Sequence, residues 1–371
     1  MIRLESLTKR YADDRVAVDN LDLDIDEGQV CVLVGPSGCG KTTTLKMVNR
    51  LVEPTSGRIF IDGDDVTTVD PVGLRRRIGY VIQQVGLFPH QTVADNVATV
   101  PRLVGWDRRR CRRRADELLD LVGLDPAAYR DRYPHQLSGG QRQRVGVARA
   151  LGVDPPVLLM DEPFGAIDPI NRDRLQQEFL RLQSEVKKTV VFVTHDVDEA
   201  VRLGDRIAIL GQGGVLEQYA PPSEVLGRPA SPFVADFVGA DRGLKRLAVT
   251  AIDVADLASL PVLAPGQPLS EARRRMDDAG ALWAVVVDGN GRLTGALARS
   301  HAEGEGSLNG QQRPVATTIA AGDSLKDAFA QLLLHDTGWV AVIDGGRYCG
   351  VVTPDSLYAA IRHSADESTR G

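Results

Sequence analysis

The sequence predicts an α/β fold, parallel strands alternating with helices, joined to a smaller α+β unit that is present twice. Three observations predict it. Short apolar runs, Val30–Val34, Val157–Met160 and Val190–Thr194, each lead into polar or glycine-rich residues, as strands buried on both faces of a parallel sheet do. The first run feeds directly into Gly35-Pro36-Ser37-Gly38-Cys39-Gly40-Lys41-Thr42, with a helix expected from about Thr42 to Leu51. After about residue 239 the composition changes, and Gly266, Leu269, Ala272, Trp283 and Asp288 recur 56 residues later as Gly322, Leu325, Ala328, Trp339 and Asp344.

The G-x-x-x-x-G-K-T segment carries the clearest chemistry. Its glycines let the backbone fold tightly and aim N–H groups at phosphate oxygens, and the following helix N-terminus adds partial positive charge. Lys41 then reaches the β and γ phosphates, and the Thr42 hydroxyl takes Mg²⁺. Thr43 continues the same turn. Asp161 and Glu162 follow the run Val157–Met160, which puts two carboxylates at a strand end, where open parallel sheets bind ligands. By itself such an acidic strand end reads as solvated; in one chain with a phosphate loop it reads as a Mg²⁺ ligand, Asp161, and a water-activating base, Glu162.

Leu137-Ser138-Gly139-Gly140-Gln141 decides between a simple nucleotide binder and something more. Ser138 is an N-cap residue, and Gly139 and Gly140 permit close backbone approach at the start of a helix from about Gln141 to Leu151, a second anion-binding helix end. Together with the phosphate loop, this segment resembles the ATPase subunit of an ABC transporter, over roughly residues 1–238. The resemblance implies an antiparallel β subdomain and a helical subdomain at about 87–155. It also implies that Ser138, Gly139, Gly140 and Gln141 of one copy complete the ATP site of the opposing copy, so the chain works as a homodimer. It further implies that His195 contacts the γ-phosphate and that Gln83 senses Mg²⁺ and water, the adjacent Gln84 leaving that assignment open by one residue. Tyr11 would stack on adenine, and Asp168, in Gly165-Ala166-Ile167-Asp168, would lie on the loop that crosses the dimer interface.

Composition agrees with that reading. A chain of 371 residues, 43% hydrophobic and 25% charged, is long enough for two or three globular domains, and a net charge of −6 argues against a general nucleic-acid binder. The four cysteines, at 31, 39, 111 and 349, have no metal-ligand spacing and suggest no disulfide framework. No apolar stretch approaches the roughly eighteen residues of a membrane span and no signal peptide is expected, so the pore belongs to another chain. The arginine run 108–114 is interrupted by Cys111, which with Ala115, Leu118 and Val122 makes one apolar stripe at helical spacing. The arginines then form a solvated face, with phosphate binding as the alternative.

The repeat reads, in each copy, as a helix, an apolar strand, an Asp-Gly turn and a second strand. It resembles a tandem pair of CBS domains, a regulatory module that often binds adenine nucleotides. The ribose-binding positions of that pattern fall on Ala298 and Ser300 in one copy and on Thr353, Asp355 and Ser356 in the other, out of register, so bracing or ionic-strength sensing is expected ahead of mononucleotide binding. The expected organisation is the ATPase domain at 1–238, a linker at 239–248, repeats at 249–305 and 306–363, and a tail at 364–371. An ABC ATPase with such a pair resembles the osmoprotectant importers of glycine betaine, choline, carnitine or proline, and the stretch Ile78–His90 looks like that subfamily. The resemblance implies integral-membrane permease subunits, an extracytoplasmic substrate-binding protein, and a peripheral position on the cytoplasmic face of the membrane. The alternatives are an importer ATPase for another substrate, or a nucleotide-sensing regulatory protein with a vestigial transport role.

Overall fold

A computed structural model describes every residue except Gln84, Val85, Ala166, Glu305, Asp336 and Gly371, together with the side chains of 364–370. The alternative assignment to Gln84 and the Ala166 of the 165–168 segment thus lie outside the described residues. The chain divides into two compact units, Met1–Val225 with Pro229–Ala240, and Leu226–Arg228 with Asp241–Gly371.

Ten strands of the first unit are β1 (Ile2–Arg10), β2 (Val16–Ile25), β3 (Val30–Val34), β4 (Ser56–Ile61), β5 (Asp64–Asp65), β6 (Ile78–Val81), β7 (Val157–Asp161), β8 (Thr189–Val193), β9 (Arg206–Leu210) and β10 (Leu216–Ala220). They make two sheets. One is antiparallel, in the order β2-β1-β4-β5; the other is parallel except at its β10 edge, in the order β10-β9-β3-β8-β7-β6. Strands β3, β7 and β8 are buried at every residue, which explains why the sequence writes them as unbroken apolar runs rather than alternating ones. The two sheets share one core. Leu4, Leu7 and Ile59 of the antiparallel sheet pack with Leu33, Leu159 and Val191 of the parallel one, and with Leu45 and Met47 from the helix Lys41–Val48.

On the other face of the parallel sheet, Phe192 of β8 is fully buried against Phe164 and Phe179, with ring centroids at 5.8 and 6.1 Å. Phe179 comes from the helix Pro169–Val186, and Phe164 lies two residues beyond Glu162. The helix Arg108–Leu121 buries Cys111, Ala115 and Leu118, with Val122 buried just beyond its end, which is the expected stripe, and it buries Leu119 as well. Its arginines do not behave alike. Arg114 turns inward and donates to the Leu151 and Gly152 carbonyls, and Arg110 stacks over Trp106 at 3.6 Å.

The second unit holds β11 (Val262–Leu263), β12 (Trp283–Val287), β13 (Leu293–Ala298), β14 (Thr318–Ala320), β15 (Val340–Asp344) and β16 (Arg347–Val352). These form two alike three-stranded sheets, β11-β12-β13 and β14-β15-β16, each parallel across its first pair and antiparallel across its second. The period of two along β12 explains the packing: Ala284 and Val286 enter the first repeat's own helix-covered core, while Val285 meets Ala341 and Val351 of the second sheet and Trp339 just before it.

Segment boundaries differ from the sequence expectation in a way that follows from packing. The expected linker, 239–248, instead lies largely in the helix Arg242–Val249, whose Leu247 is buried in the core of the second repeat. Ile252 follows it there, its N–H donating to the Asp323 carbonyl at 2.8 Å while Leu325 N–H donates to Thr250. Conversely Leu308 closes the core of the first repeat. Each repeat is therefore completed by a segment lying nearer the other in sequence. The short edge strands β11 and β14 and these exchanged segments carry too few apolar residues to show a period.

Phe192→Ala should lower the stability of the first unit by about 3–5 kcal/mol, because it opens a cavity between rigid aromatic neighbours. Urea denaturation followed by far-ultraviolet circular dichroism measures it, and a loss below about 1 kcal/mol would contradict the packing described.

Candidate active site

The phosphate loop is held in place by its glycines. Gly35 (φ +152°) and Gly40 (φ +106°) pass so close to neighbouring backbone that an added Cβ would lie 2.2 Å from the Leu210 carbonyl oxygen and 2.2 Å from that of Ala17. The loop is therefore wedged between β9 and the start of β2, and a side chain at either position must displace backbone. Gly40 precedes the helix Lys41–Val48 with no side-chain cap, so the first N–H groups of that helix are directed to whatever the loop encloses. Lys41 is buried, its Nζ donating to the carbonyls of Gly35 at 2.7 Å and Pro36 at 3.0 Å. Cys39 is fully buried behind the loop, with its sulfur 3.6 Å from that ammonium.

Across from the loop stand the ends of β7 and β8. Thr42 Oγ1 donates to Asp161 Oδ1 at 2.9 Å, which joins the loop to the strand end. Burial pushes the Asp161 carboxyl above the usual carboxylate range, against the lowering effect of that hydrogen bond and of Lys46. Glu162 adopts a left-handed backbone, φ +45°, which costs a residue with a Cβ roughly 1–2 kcal/mol. Its N–H donates to the Val193 carbonyl at 2.9 Å, so the corner is pinned to β8. The corner swings the Glu162 carboxylate between two partners: Gln83 Nε2 donates to Oε2 at 2.8 Å, and His195 Nδ1 lies 3.4 Å from Oε1. The left-handed corner thus holds the glutamate carboxylate between two polar partners.

These groups face one open cleft of about 560 Å³, lined by Ser37, Gly38, Gly40, Lys41, Thr42 and Thr43 on the loop side and by Gln83, Glu162 and His195 opposite. Tyr11 lines it at the β1–β2 turn. Arg15, Val16 and Ala17 line it as well, and the sequence reading missed all three. Arg15 lies 5.3 Å over the Tyr11 ring, a cross-turn contact with no periodic or motif signal. Gly35, Pro36 and Cys39 stand behind the cleft and shape it. Among the described residues no group of three or more His, Cys, Asp or Glu side chains is placed to hold a metal ion. Thr42 and Gln83 line the cleft and Asp161 stands behind Thr42, a set of oxygen donors that suits a hard cation completing its shell with substrate phosphate and water.

The Ser138–Gln141 segment is not part of this cleft. Ser138 caps the helix Gly139–Ala150 with reciprocal hydrogen bonds, Gln141 N–H to Ser138 Oγ at 3.2 Å and Ser138 N–H to Gln141 Oε1 at 2.9 Å. Gln141 Nε2 donates to the Tyr129 hydroxyl at 3.0 Å, and nothing lies within 4 Å of a Cβ built on Gly139. The result is a preformed, exposed helix N-terminus on the same chain. Asp168 also lies outside the cleft: exposed, it caps the helix Pro169–Val186, and hydrogen bonds from the Asn171 side chain and N–H hold its carboxyl below the usual range.

A phosphate loop wedged in a parallel sheet, a strained glutamate facing it and a second capped helix end elsewhere define an ATP-binding cassette. Residues 18–165 match the ABC transporter family, and residues 254–302 and 312–363 match the CBS domain. The chain is 49% identical over 364 residues to the osmoprotectant import ATP-binding protein OsmV of Salmonella typhimurium, covering 96% of this chain and 95% of that one. It is 44% identical over 363 residues to the glycine betaine/carnitine/choline transport ATP-binding protein OpuCA of Bacillus subtilis, with the same coverage. The dimeric post-hydrolysis structure of the cassette MJ0796, bound to ADP and Pi, superposes with a TM-score of 0.54 at 36% identity, over 60% of this chain and 98% of that one. The chain belongs to the ABC transporter family, as an ATP-binding ATPase subunit carrying a pair of CBS domains.

Gly35→Ala should weaken ATP binding at least tenfold, since the Cβ forces the Leu210 carbonyl or the loop to move. Equilibrium binding of a fluorescent ATP analogue reads this, and wild-type affinity in the variant would contradict the wedge.

Proposed function

We propose that this chain powers an importer of osmoprotectants, the quaternary amines glycine betaine, choline and carnitine or the amino acid proline, as its ATP-hydrolysing subunit. The observation that carries the proposal is the match, through both the ATPase and the CBS pair, to an osmoprotectant import ATP-binding protein over 95% of its length. Among the described residues no helix is long and apolar enough to cross a membrane. The pore therefore falls to permease subunits, with an extracytoplasmic protein delivering the cargo and this chain sitting peripherally on the cytoplasmic face.

ATP occupies the cleft with adenine on Tyr11 and its phosphates against the loop N–H groups, Lys41 and the helix N-terminus. Thr42, Asp161 and Gln83 would hold Mg²⁺, which would neutralise phosphate charge there. Glu162 orients the attacking water and accepts its proton, and Gln83 and His195 keep the carboxylate aimed, His195 also reaching the γ-phosphate. The exposed helix end at Ser138, Gly139, Gly140 and Gln141 closes the γ-phosphate side of the opposing copy's site, with Asp168 beside it at the interface. Two copies then hold two ATP molecules between them, and hydrolysis releases the pair. The CBS pair regulates this cycle from the second unit.

Uptake of radiolabelled glycine betaine by cells lacking the gene, complemented with wild type or Lys41→Ala, tests the cargo class. Uptake is expected with the first and not with the second; uptake of neither glycine betaine, choline, carnitine nor proline with wild type would overturn it. Glu162→Gln should retain ATP affinity within about twofold while losing hydrolysis by about 10²-fold or more, and should accumulate as an ATP-dependent dimer. Steady-state turnover and size-exclusion chromatography with ATP read both, and wild-type turnover would remove Glu162 from its role. A truncation after Ala240 should keep ATPase activity with its permease and lose the response of transport to a salt series; an unchanged salt response would remove the regulatory role.

A further inference from the structure

The second unit contains a cavity of about 150 Å³ whose wall includes Trp283, Trp339, Arg313, Thr317, His335 and Thr337. The two indole rings stand at 65° with centroids 6.0 Å apart. This edge-to-face arrangement makes an aromatic corner rather than a slot between parallel faces. A flat base stacks best in a slot, whereas a rounded, weakly hydrated cation such as a trimethylammonium group sits against indole faces in a corner.

The polar groups narrow the choice. Thr317 Oγ1 and His335 Nε2 are paired at 2.8 Å, and Thr337 Oγ1 donates to the Trp339 carbonyl at 2.9 Å, so the wall's hydroxyls are already engaged. The hydroxyls expected at a ribose are likewise occupied: Thr353 and Ser356 bond reciprocally at the start of the last helix, at 2.8 and 3.1 Å. Arg313 is different. Its guanidinium is exposed, makes a 3.1 Å contact with the His301 imidazole, and forms no ion pair with a carboxylate among the described residues. A guanidinium repels a simple cation and recruits a carboxylate.

We propose that this cavity binds a zwitterionic quaternary amine, its trimethylammonium group against Trp283 and Trp339 and its carboxylate on Arg313. The same wall disfavours choline, which has the cation and lacks the carboxylate. Taken with the proposed cargo class, on which this last step rests, the CBS pair would read the accumulated product of import directly. A ligand of this size in one small cavity reaches an affinity of the order of 1 mM.

The test uses the full chain carrying Trp106→Phe. The chain has three tryptophans, so the remaining emission comes from Trp283 and Trp339 alone. Titration with glycine betaine should give a saturable change in emission, and choline should bind several-fold more weakly. Arg313→Gln, at an exposed position, should weaken glycine betaine roughly tenfold and, by removing a like charge, bind choline at least as well as the wild type does. Trp283→Leu should weaken both, read by calorimetry with circular dichroism to verify folding. No saturable response to glycine betaine, equal affinity for choline, or wild-type affinity in Arg313→Gln would each overturn the site. Because binding is read on purified protein and cargo by cellular uptake, absent binding with intact uptake removes this site alone. Binding without uptake removes only the transport reading.

Discussion

The parallel register of β6, β7 and β8 sets where the chemistry of the first unit stands. Val81 pairs with Met160, and Asp161 with Val193, so three strands finish within two residues of one another. Gln83, Glu162 and His195 each follow their strand by one or two residues and converge because those ends are level. A slip of one residue in β7 would turn Asp161 away from Thr42 and take Glu162 from between Gln83 and His195, since side chains alternate along a strand. The apolar filling of β7 and β8, with Phe192 locked between Phe164 and Phe179, is what forbids the slip.

The same register explains the strained corner. For Glu162 to donate its N–H to Val193 and still face the cleft, the chain must turn left-handed immediately after Asp161. Pro163 and Phe164 then anchor the far side of the turn, both buried. The cost in backbone energy is local, and the sheet supplies the rigidity that maintains it. The placement of Gln83, Glu162 and His195 at the cleft comes from strand ends, with the loop glycines allowing the opposite wall to approach.

Much of this was legible in the sequence, for identifiable reasons. Unbroken apolar runs are the mark of strands covered on both faces, and each site residue followed such a run or a glycine pattern, so Lys41, Thr42, Asp161, Glu162 and His195 could be placed beside one cleft. Arg15, Val16 and Ala17 could not, because they arrive through the antiparallel sheet and the turn that carries Tyr11, a tertiary coincidence with no periodicity. In the second unit the repeat announced itself through Trp283 and Trp339 at equal offsets. The helix Arg242–Val249 did not, since its buried contact is essentially Leu247, and its partner core lies about seventy residues further on. Nor could the sequence reveal that Trp283 and Trp339 meet edge to face.

The geometry of one chain leaves the ATP cleft and the capped helix end at Ser138 apart, and on that separation the two-copy mechanism depends. Its most direct measurement is ATPase activity in mixtures of two variants, one with Lys41→Ala and one with a bulky side chain at Ser138. Each alone should be inactive. Mixed, they should form heterodimers with one fully intact composite site, and turnover should appear with a quadratic dependence on total protein at low concentration. Full activity of either variant alone, or turnover of the wild type that is strictly proportional to protein concentration down to the monomer range, would contradict it.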